Sequence, residues 1–341
     1  MIYLNAGNLW TDEYLDKVIE LNMNHDKTKV KSLFGSISKL TPTARSSDRI
    51  PYLEWGQIDK YVAKAKESSI AIRYTLNASC FGSIQDFKHL WDTRLKKDIE
   101  ELHAIGVHEW TVTSPLLLGL LRVMFPTDFI EVSTIAEVSN AEEATRWMML
   151  GADGVNISTG INRDFGEISR IGSILDVSIL ANEACLYKCP FRRECYNLSS
   201  HDSQRSEELF GFYPFRLCNE MRILNPVEWL KSRIVLPQWL PIYQEKSSVN
   251  WFKIAYRTHP IEVALPMLEA YMNMEYHGNL CDLWPTISKL GDTPEPRETT
   301  NIPCDKLKDF LVAWYKGDLC DKRICGTSCR YCDIAYERTQ W

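Results

Sequence analysis

The sequence predicts an α/β fold, a (β/α)8 TIM-like barrel that carries two cysteine-rich additions. Apolar and β-branched runs recur eight times along the chain, and stretches with helical spacing of apolar residues lie between them. No glycine-rich GxGxxG turn follows any of these runs, which weakens the dinucleotide-binding open sheet as the competing fold. A chain of 341 residues has room for one barrel and an appendage.

Eight short segments have the composition expected of strands in a parallel sheet. In chain order they are IYLN (2–5), VKSLFGSI (30–37), SIAIRYTLN (69–77), VHEWTVTS (107–114), FIEVSTI (129–135), GVNIS (154–158), VSILANE (177–183) and WFKIAYR (251–257). Because a helix follows each strand and returns the chain to the same end of the sheet, the strands are expected to be parallel.

Helices are predicted where apolar residues recur every three or four positions, as in TDEYLDKVIELN and DTRLKKDIEELHAIG. In SNAEEATRWMMLG, Ser139 is placed to cap the helix, Glu142 lies three residues later in a capping-box pattern, and Gly151 ends it. The run PLLLGLLRVMF is too short to span a membrane and predicts a buried helix.

The alternation of strand and helix breaks between the seventh and eighth predicted strands and again near the C-terminus. We therefore divide the chain into a barrel over 1–290, with a cysteine-rich insertion at 184–247, and an extension over 291–341. The extension reads as a Pro- and Thr-rich linker, one helix in CDKLKDFLVAWYKGD and a cysteine-rich tail. In a barrel the insertion emerges at the C-terminal ends of the strands, where active sites are built.

Charge and the N-terminal sequence restrict the classes of partner. The chain has 39 Lys and Arg against 45 Asp and Glu, a net charge of −6, which disfavours a broad nucleic-acid-binding face. The basic residues between Lys27 and Lys39 are most simply a solvated strand edge, so RNA is not a favoured partner. The start, MIYLNAGNLWTDEY, lacks a basic region followed by an apolar one, so we expect no signal peptide and a cytoplasmic protein.

Cysteine is distributed unevenly, with ten of its eleven residues at or beyond position 185. An odd number without a secretory signal disfavours a disulfide framework and favours metal or redox chemistry. Cys185, Cys189, Cys195 and Cys218 are predicted to bind one metal centre on the insertion, either a 4Fe–4S cluster or structural zinc. The place of the insertion favours a redox centre, and Arg192 and Arg193 are positioned to offset its negative charge. Buried apolar cysteines are the alternative interpretation.

The tail carries a second dense group of cysteines. Cys320, Cys325, Cys329 and Cys332 predict a second metal site, with a redox-labile tail as the alternative. Cys281 and Cys304 are possible substitute ligands, and Cys80 is interpreted as a core thiol.

Polar side chains that follow the predicted strands are expected to face the pocket of the barrel. The candidate catalytic residues are Asn77, Arg163, Asp164, Glu183, Lys253 and Arg257. They suit a small polar or anionic substrate, and Arg163 and Arg257 are expected to grip a carboxylate. Ordinary hydrogen bonds at the rim are the alternative for each residue. No GxSxG, HExxH or P-loop motif is present.

Several longer blocks resemble the collagenase-like peptidase U32 family. They are EVSTIAEVSNAEEATRWMMLGADGVNISTGINRDFGEI, ILANEACLYKCPFRREC, YTLNASC, NPVEWLKSR, FKIAYR and the CxxxCxxC tail, and together they extend over nearly the whole chain. The resemblance implies a (β/α)8-like barrel. It also implies kinship with oxygen-independent hydroxylases of ubiquinone precursors or RNA, which carry 4Fe–4S clusters and use prephenate as the oxygen source.

The resemblance assigns the cluster ligands by position. Cys185, Cys189 and Cys218 match best, whereas many relatives place histidine where this chain has Cys195, so either Cys195 or a residue from elsewhere completes the set. The terminal cysteines resemble an extension that only part of the family carries.

Three functional hypotheses follow. The first is an iron–sulfur enzyme that hydroxylates or otherwise modifies an aromatic or nucleobase-like substrate, with prephenate as a possible oxygen donor. The second is a metal-dependent or collagenase-like peptidase in which zinc is structural and Glu183 is the general base. The third is a subunit of a heteromeric iron–sulfur assembly with a partner of the same family, docked through the tail.

Overall fold

The computed structural model describes residues 1–39, 42–204, 213–284, 296–316, 324–325 and 327–341. Within them, parallel strands pair in chain order and the eighth pairs with the first, so the sheet closes into the predicted barrel. The strands are β1 (Ile2–Gly7), β2 (Thr28–Gly35), β3 (Ala71–Leu76), β4 (Glu109–Val112), β5 (Phe129–Val132), β6 (Gly154–Asn156), β7 (Asp176–Leu180) and β8 (Trp251–Ile254).

Each predicted strand is present, but every one after the first ends earlier than its sequence predicted. The polar residues at the predicted C-terminal ends leave the ladder and organise the following turns. Ser114 accepts a hydrogen bond from the amide of Leu117 as the cap of a helix, and Ser133 accepts one from the amide of Ile135. A short polar side chain favours such local bonds over continued extension.

Helices follow the strands and pack around the barrel. They are α1 (Asp12–Asn24), α2 (Trp55–Glu67), α3 (Ile84–Leu90), α4 (Lys96–Ala104), α5 (Pro115–Met124), α6 (Ala141–Met149), α7 (Phe165–Gly172), α8 (Arg192–Gln204), α9 (Tyr213–Leu224), α10 (Val227–Lys231), α11 (Leu240–Ser247), α12 (Ile261–Asn273), α13 (Pro296–Thr299), α14 (Val312–Tyr315) and α15 (Tyr331–Thr339). No helix in this described part of the chain is long and apolar enough to cross a membrane.

Two local predictions about helices need correction. The cap of α6 is Asn140 rather than Ser139, because the Asn140 side chain accepts the bond from the Glu143 amide. Gly151 follows the helix with a φ of 101°, a left-handed conformation that glycine adopts without steric cost. Helix α5 is amphipathic rather than wholly buried, since Leu117 is buried whereas Val123 is exposed.

The barrel interior holds an ionic network instead of a purely apolar core. Glu131 on β5 lies 2.9 Å from Arg73 on β3 and 3.6 Å from Lys253 on β8, and all three side chains are buried. The hydroxyls of Thr111 and Ser178 also donate to Glu131. One carboxylate therefore offsets two buried cations, which is the pairing that burial of charge requires.

The chain between β7 and β8 contains α8 to α11 and covers the C-terminal ends of the strands. Helix α8 is fastened to the loops after β2 and β3 by side-chain bonds. Ser200 accepts from the Ser79 amide at 2.8 Å, Ser203 accepts from the Thr43 amide at 3.2 Å, and Gln204 donates to the carbonyl of Cys80. These contacts place the cysteine-bearing insertion over the barrel mouth.

The C-terminal part of the chain packs against the barrel through aromatic rings. The Phe310 ring stacks on the Tyr331 ring with centroids 5.3 Å apart. The ring centroid of Trp239 lies 6.0 Å from that of Phe310. The single helix predicted for CDKLKDFLVAWYKGD is wrong. A 3₁₀ turn at Cys304–Leu307 and the short helix α14 replace it, and Phe310 and Leu311 are buried at the break between them.

Candidate functional site

Two cavities adjoin at the C-terminal ends of the strands. The mouth cavity, of about 90 Å³, is lined by strand-end residues that include Asn77, Asn182, Lys253 and Arg257. The sulfur cavity, of about 70 Å³, is lined by Cys185, Cys189, Cys195 and Cys218. The two cavities share the wall residues Arg45, Glu183, Tyr196 and Trp284.

The four cysteines of the sulfur cavity come from three segments of the insertion. Cys185 and Cys189 lie in the loop that follows β7, Cys195 lies in the first turn of α8, and Cys218 lies in the middle of α9. The spacing in sequence links only the first three, so Cys218 reaches the same cavity through the position that α9 takes in the fold.

Burial governs the protonation of these thiols. It raises the pKa of Cys185 well above its ordinary value, raises the pKa of Cys195 to about 12 and raises the pKa of Cys218. Neighbouring thiols and Glu183 raise these pKa values further, while Arg192 and Arg222 act in the opposite direction. Without a metal the thiols of Cys185, Cys195 and Cys218 are therefore neutral at pH 7, and a bound metal would displace their protons.

Arg222 connects two of the cysteine-bearing segments. Its side chain is fully buried and donates to the carbonyls of Cys218, at 3.0 Å, and of Ala184, which directly precedes Cys185. The guanidinium lies 4.2 Å from the ring centroid of Trp284 and 5.4 Å from that of Trp229. Sequence analysis missed this residue, although its position one helical turn after Cys218 on α9 was a usable signal.

We expect Arg222→Met to destabilise the fold by roughly 1–3 kcal/mol, because the buried Ala184 carbonyl loses its charged donor. Urea unfolding of anaerobically purified protein measures the effect. Arg216→Met on the same helix is the matched control, since Arg216 is exposed and pairs with Glu220, and we expect a change below about 0.5 kcal/mol. Equal destabilisation by both substitutions would contradict the role of Arg222 in connecting the two cysteine-bearing segments.

The two arginines after Cys189 have different surroundings. Arg192 lines the sulfur cavity and pairs with Glu137 at 2.6 Å, as expected for a residue that offsets negative charge there. The expectation for Arg193 is wrong. Its side chain is 92% exposed and reaches only Glu137, at 4.0 Å.

Positive charge is concentrated in the mouth cavity, where Arg45, Lys253 and Arg257 lie on the wall. Arg257 donates to the hydroxyl of Thr75 at 2.6 Å and to that of Ser36 at 3.0 Å. Asn77 accepts from the Ala44 amide at 3.2 Å, which holds the loop that carries Arg45. Because these partners of Arg257 are neutral hydroxyls, its positive charge remains available to attract an anionic ligand.

Lys253 is a buried titratable group of the mouth whose pKa lies well below its ordinary value. Burial lowers its pKa to about 8, and Arg73 and Arg257 lower the pKa further while Glu131 opposes them. Its Nζ lies 4.2 Å from the centroid of the Phe34 ring. A lysine of this kind is substantially neutral near pH 8, so its amine is able to accept a proton there.

This shift predicts a pH dependence of stability. Between pH 8 and about 10.4 the unfolded chain binds a proton at Lys253 that the native state has lost, so the free energy of unfolding should rise with pH. We expect this rise, on the order of 3 kcal/mol at most, to be missing in Lys253→Met. Urea unfolding at both pH values tests the difference, with exposed Lys17→Met as control. The same pH dependence of the free energy of unfolding in wild type and Lys253→Met would contradict this prediction.

Two candidate catalytic residues lie outside both cavities. Arg163 is buried between aromatic rings and donates to the carbonyls of Leu230, at 2.6 Å, and Ile234. Asp164 caps α7 by accepting from the Glu167 amide. The expected grip of Arg163 and Arg257 on one carboxylate does not fit these positions, because Arg163 faces the insertion backbone and Arg257 faces the mouth.

The remaining cysteines separate into core and tail groups. Cys281 and Cys304 are buried in the apolar core and line neither cavity, and Cys80 is half-buried beneath α8 rather than in the core. Cys325, Cys329 and Cys332 line a third, small cavity with Lys231 and Arg233 as cationic neighbours. Cys320 lies outside the described residues.

Comparisons with known proteins agree with this architecture. A Methanocaldococcus jannaschii protein named uncharacterized protease MJ1657 is 28% identical over 329 residues, which cover 95% of this chain and 92% of that protein. The solved structure of the U32 peptidase Mk0906 superposes with a TM-score of 0.50 at 17% identity, over 75% of this chain and 94% of that one. The chain is therefore similar over nearly its whole length to a protein named as a protease, and it shares its fold with a U32 peptidase. No protein-family model matches it.

In this chain the four cysteines of the first predicted site line one cavity. Cys195, whose place in the ligand set the resemblance left open, lines that cavity beside Cys185, Cys189 and Cys218. The arrangement supplies four sulfur donors for a metal centre and sets them against the mouth through Glu183, which accepts a bond from the Trp284 indole at 3.1 Å.

Proposed function

We propose that this chain is an iron–sulfur enzyme in which Cys185, Cys189, Cys195 and Cys218 hold a 4Fe–4S cluster beside the mouth cavity. The observation that carries the proposal is the shared wall. Arg45, Glu183, Tyr196 and Trp284 line both the sulfur cavity and the mouth cavity. A purely structural metal need not lie beside the mouth cavity, whereas a redox centre that acts on a substrate bound there must.

The residues around the sulfur cavity fit such a cluster in number, room and charge. Four cysteine sulfurs are the common ligand set of a 4Fe–4S cluster. The cavity volume of about 70 Å³ is several times the roughly 10–15 Å³ that one water needs, which favours a polynuclear group over a single zinc ion. Arg45, Arg192 and Arg222 also line the cavity and would offset the negative charge of a thiolate-bound cluster.

When bound, the cluster would supply one-electron chemistry at the edge of the mouth. The chain's own residues would position the reactants. Lys253, Arg257 and Arg45 would bind the carboxylates of an anionic ligand, and Asn77 keeps the Arg45 loop in place. Trp284 and Tyr196 would offer ring faces to an aromatic or nucleobase-like substrate. Glu183 would hold or accept a proton at its carboxylate between the two cavities.

The reaction we propose is an oxygen-independent hydroxylation by an anionic donor of the prephenate type. The C–O bond of the donor hydroxyl breaks and its oxygen converts a C–H bond of the substrate into C–OH. The donor carbon takes up the displaced hydrogen, so the donor is reduced by the two electrons that the substrate loses. The test is anaerobic incubation of the iron-loaded protein with prephenate and a phenolic quinone precursor or transfer RNA. We expect a product heavier by one oxygen atom that disappears when prephenate is omitted. No such product with any of these substrates would contradict the proposal.

A peptidase is the second candidate, favoured by the word protease in the name of the Methanocaldococcus jannaschii relative. In that function zinc would be structural and Glu183 would act as the general base toward water in the mouth. Peptide cleavage that Glu183→Gln abolishes, in protein containing stoichiometric zinc and no iron, would replace the hydroxylase proposal with this one.

We extend the proposal to a second metal site on the tail, formed by Cys325, Cys329 and Cys332 with Cys320 as the fourth ligand. Lys231 and Arg233 line the cavity of the described three and would offset thiolate charge. A tail that carries its own cluster would also be suited to transfer electrons to or from a partner barrel of the same family. Co-purification of such a partner, lost on deletion of the tail, would support the heteromeric assembly.

A further inference from the structure

Three potential metal ligands converge at the opposite end of the barrel from the mouth. His103 lies at the end of α4, His108 directly precedes β4, and Asp128 directly precedes β5. Their ligand atoms all lie within 4.8 Å of one another. The cavities described above do not include these residues.

The distances among them match coordination better than direct hydrogen bonding. Asp128 Oδ1 lies 3.3 Å from His103 Nε2 and 3.5 Å from His108 Nδ1. Ordinary hydrogen bonds between charged groups are shorter, about 2.7–2.9 Å. Ligand atoms about 2.0–2.1 Å from a tetrahedral ion are separated by about 3.4 Å, and both distances are close to that value.

Neighbouring residues orient the ligands before any metal arrives. The buried Trp110 indole donates to Asp128 Oδ2 at 2.8 Å, which turns Oδ1 toward both imidazoles. The His103 ring stacks on Phe125 with centroids 3.9 Å apart and an interplanar angle of 7°, and this contact holds the direction of Nε2. Such outer contacts are the usual means by which proteins aim metal ligands.

We propose that His103, His108 and Asp128 form a binding site for a divalent transition-metal ion, with Zn²⁺ as its best-suited occupant. Two imidazoles and one carboxylate form a donor set that zinc accepts, and three protein ligands leave a fourth position for water. His108 is 52% exposed, so solvent reaches that position. The ion would join the segments before β4 and β5 and stabilise the N-terminal face of the barrel, independently of the cysteine chemistry.

The test compares metal binding by wild type, His108→Ala and the matched control His89→Ala, which removes an exposed histidine of α3. Co²⁺ is the probe, titrated anaerobically, because ligation by nitrogen and oxygen gives d–d absorption without the sulfur-to-cobalt charge-transfer band that the cysteine sites produce. We expect wild type and His89→Ala to bind one such equivalent, and His108→Ala to bind it at least about tenfold more weakly.

Thermal unfolding in the presence of Zn²⁺ is the second readout. Binding to the native state should raise the midpoint of wild type and His89→Ala, and this increase should be smaller in His108→Ala and in His103→Ala, which keep only the cysteine sites. Since His108 is half exposed, its replacement is expected to leave the metal-free midpoint unchanged within about 2 °C. The same cobalt spectrum and the same zinc-induced increase in all the variants would overturn the proposal.

Discussion

Cys185→Ser is expected to remove nearly all the iron of the sulfur cavity and the activity that depends on it, while the barrel stays folded. Cys185 is half-buried in the wall of the sulfur cavity, and it lies in a loop where it supports no helix or strand. A serine hydroxyl is a hard and weakly acidic ligand that iron in a cluster binds poorly compared with thiolate. Anaerobic iron and sulfide analysis measures the loss.

Cys80→Ser is the matched control for this substitution. Cys80 is also half-buried near α8, but it does not line the sulfur cavity, so its replacement should leave the iron content of that site unchanged. Simultaneous replacement of Cys325, Cys329 and Cys332 separates the tail from the first site, since it should remove only the iron that the tail binds. Full iron content in Cys185→Ser would contradict the assignment of the ligands.

Glu131→Ala is expected to destabilise the protein by about 3–5 kcal/mol, because it leaves Arg73 and Lys253 as buried cations without their shared carboxylate. Burial alone would raise the pKa of Glu131, but Arg73 and then Lys253 outweigh it, so the pKa lies below its ordinary value. The stabilisation is therefore present at neutral pH and is lost as the pH falls through the pKa of the folded state.

The matched comparison is Glu109→Ala. Glu109 pairs with the same arginine at 2.9 Å, but its side chain is 26% exposed, so we expect a cost nearer 1 kcal/mol. Urea unfolding gives both values at pH 7. In the triple substitution Arg73→Met, Glu131→Leu and Lys253→Met, removal of the three charges together should restore most of the lost stability. If Glu131→Ala cost no more than Glu109→Ala, the interior network would not be a major source of stability.

The sequence predicted the barrel because eight apolar runs separated by helical patterns have few other solutions. It could not set the strand ends, since Ser114 and Ser133 are equally compatible with a strand and with the cap that each of them forms. Local sequence patterns identify residues that suit a strand end or a helix cap. The choice between a ladder bond and a cap depends on where the neighbouring strand ends.

In the candidate site, too, the sequence predicts what depends on nearby residues and does not predict what depends on distant ones. The spacing in sequence was enough to group Cys185, Cys189 and Cys195. The roles of Arg163 and Arg222 depend instead on contacts with distant segments. Arg163 follows β6, where a pocket residue is expected. Its side chain packs against aromatic rings such as Phe310 and Trp314 and does not line the mouth. No periodicity in the sequence encodes such a contact.

The central claim is that four cysteines hold a redox cluster where the insertion meets the barrel mouth. The most direct test is iron and acid-labile sulfide analysis, with electron paramagnetic resonance after reduction, of protein purified without air and compared with Cys185→Ser. We predict that Cys185→Ser lowers the content by about four irons and four sulfides per chain and removes the cubane-type signal of the sulfur cavity, leaving only the signal of the tail. Stoichiometric zinc with no iron, or a signal that persists unchanged in Cys185→Ser, would contradict the claim.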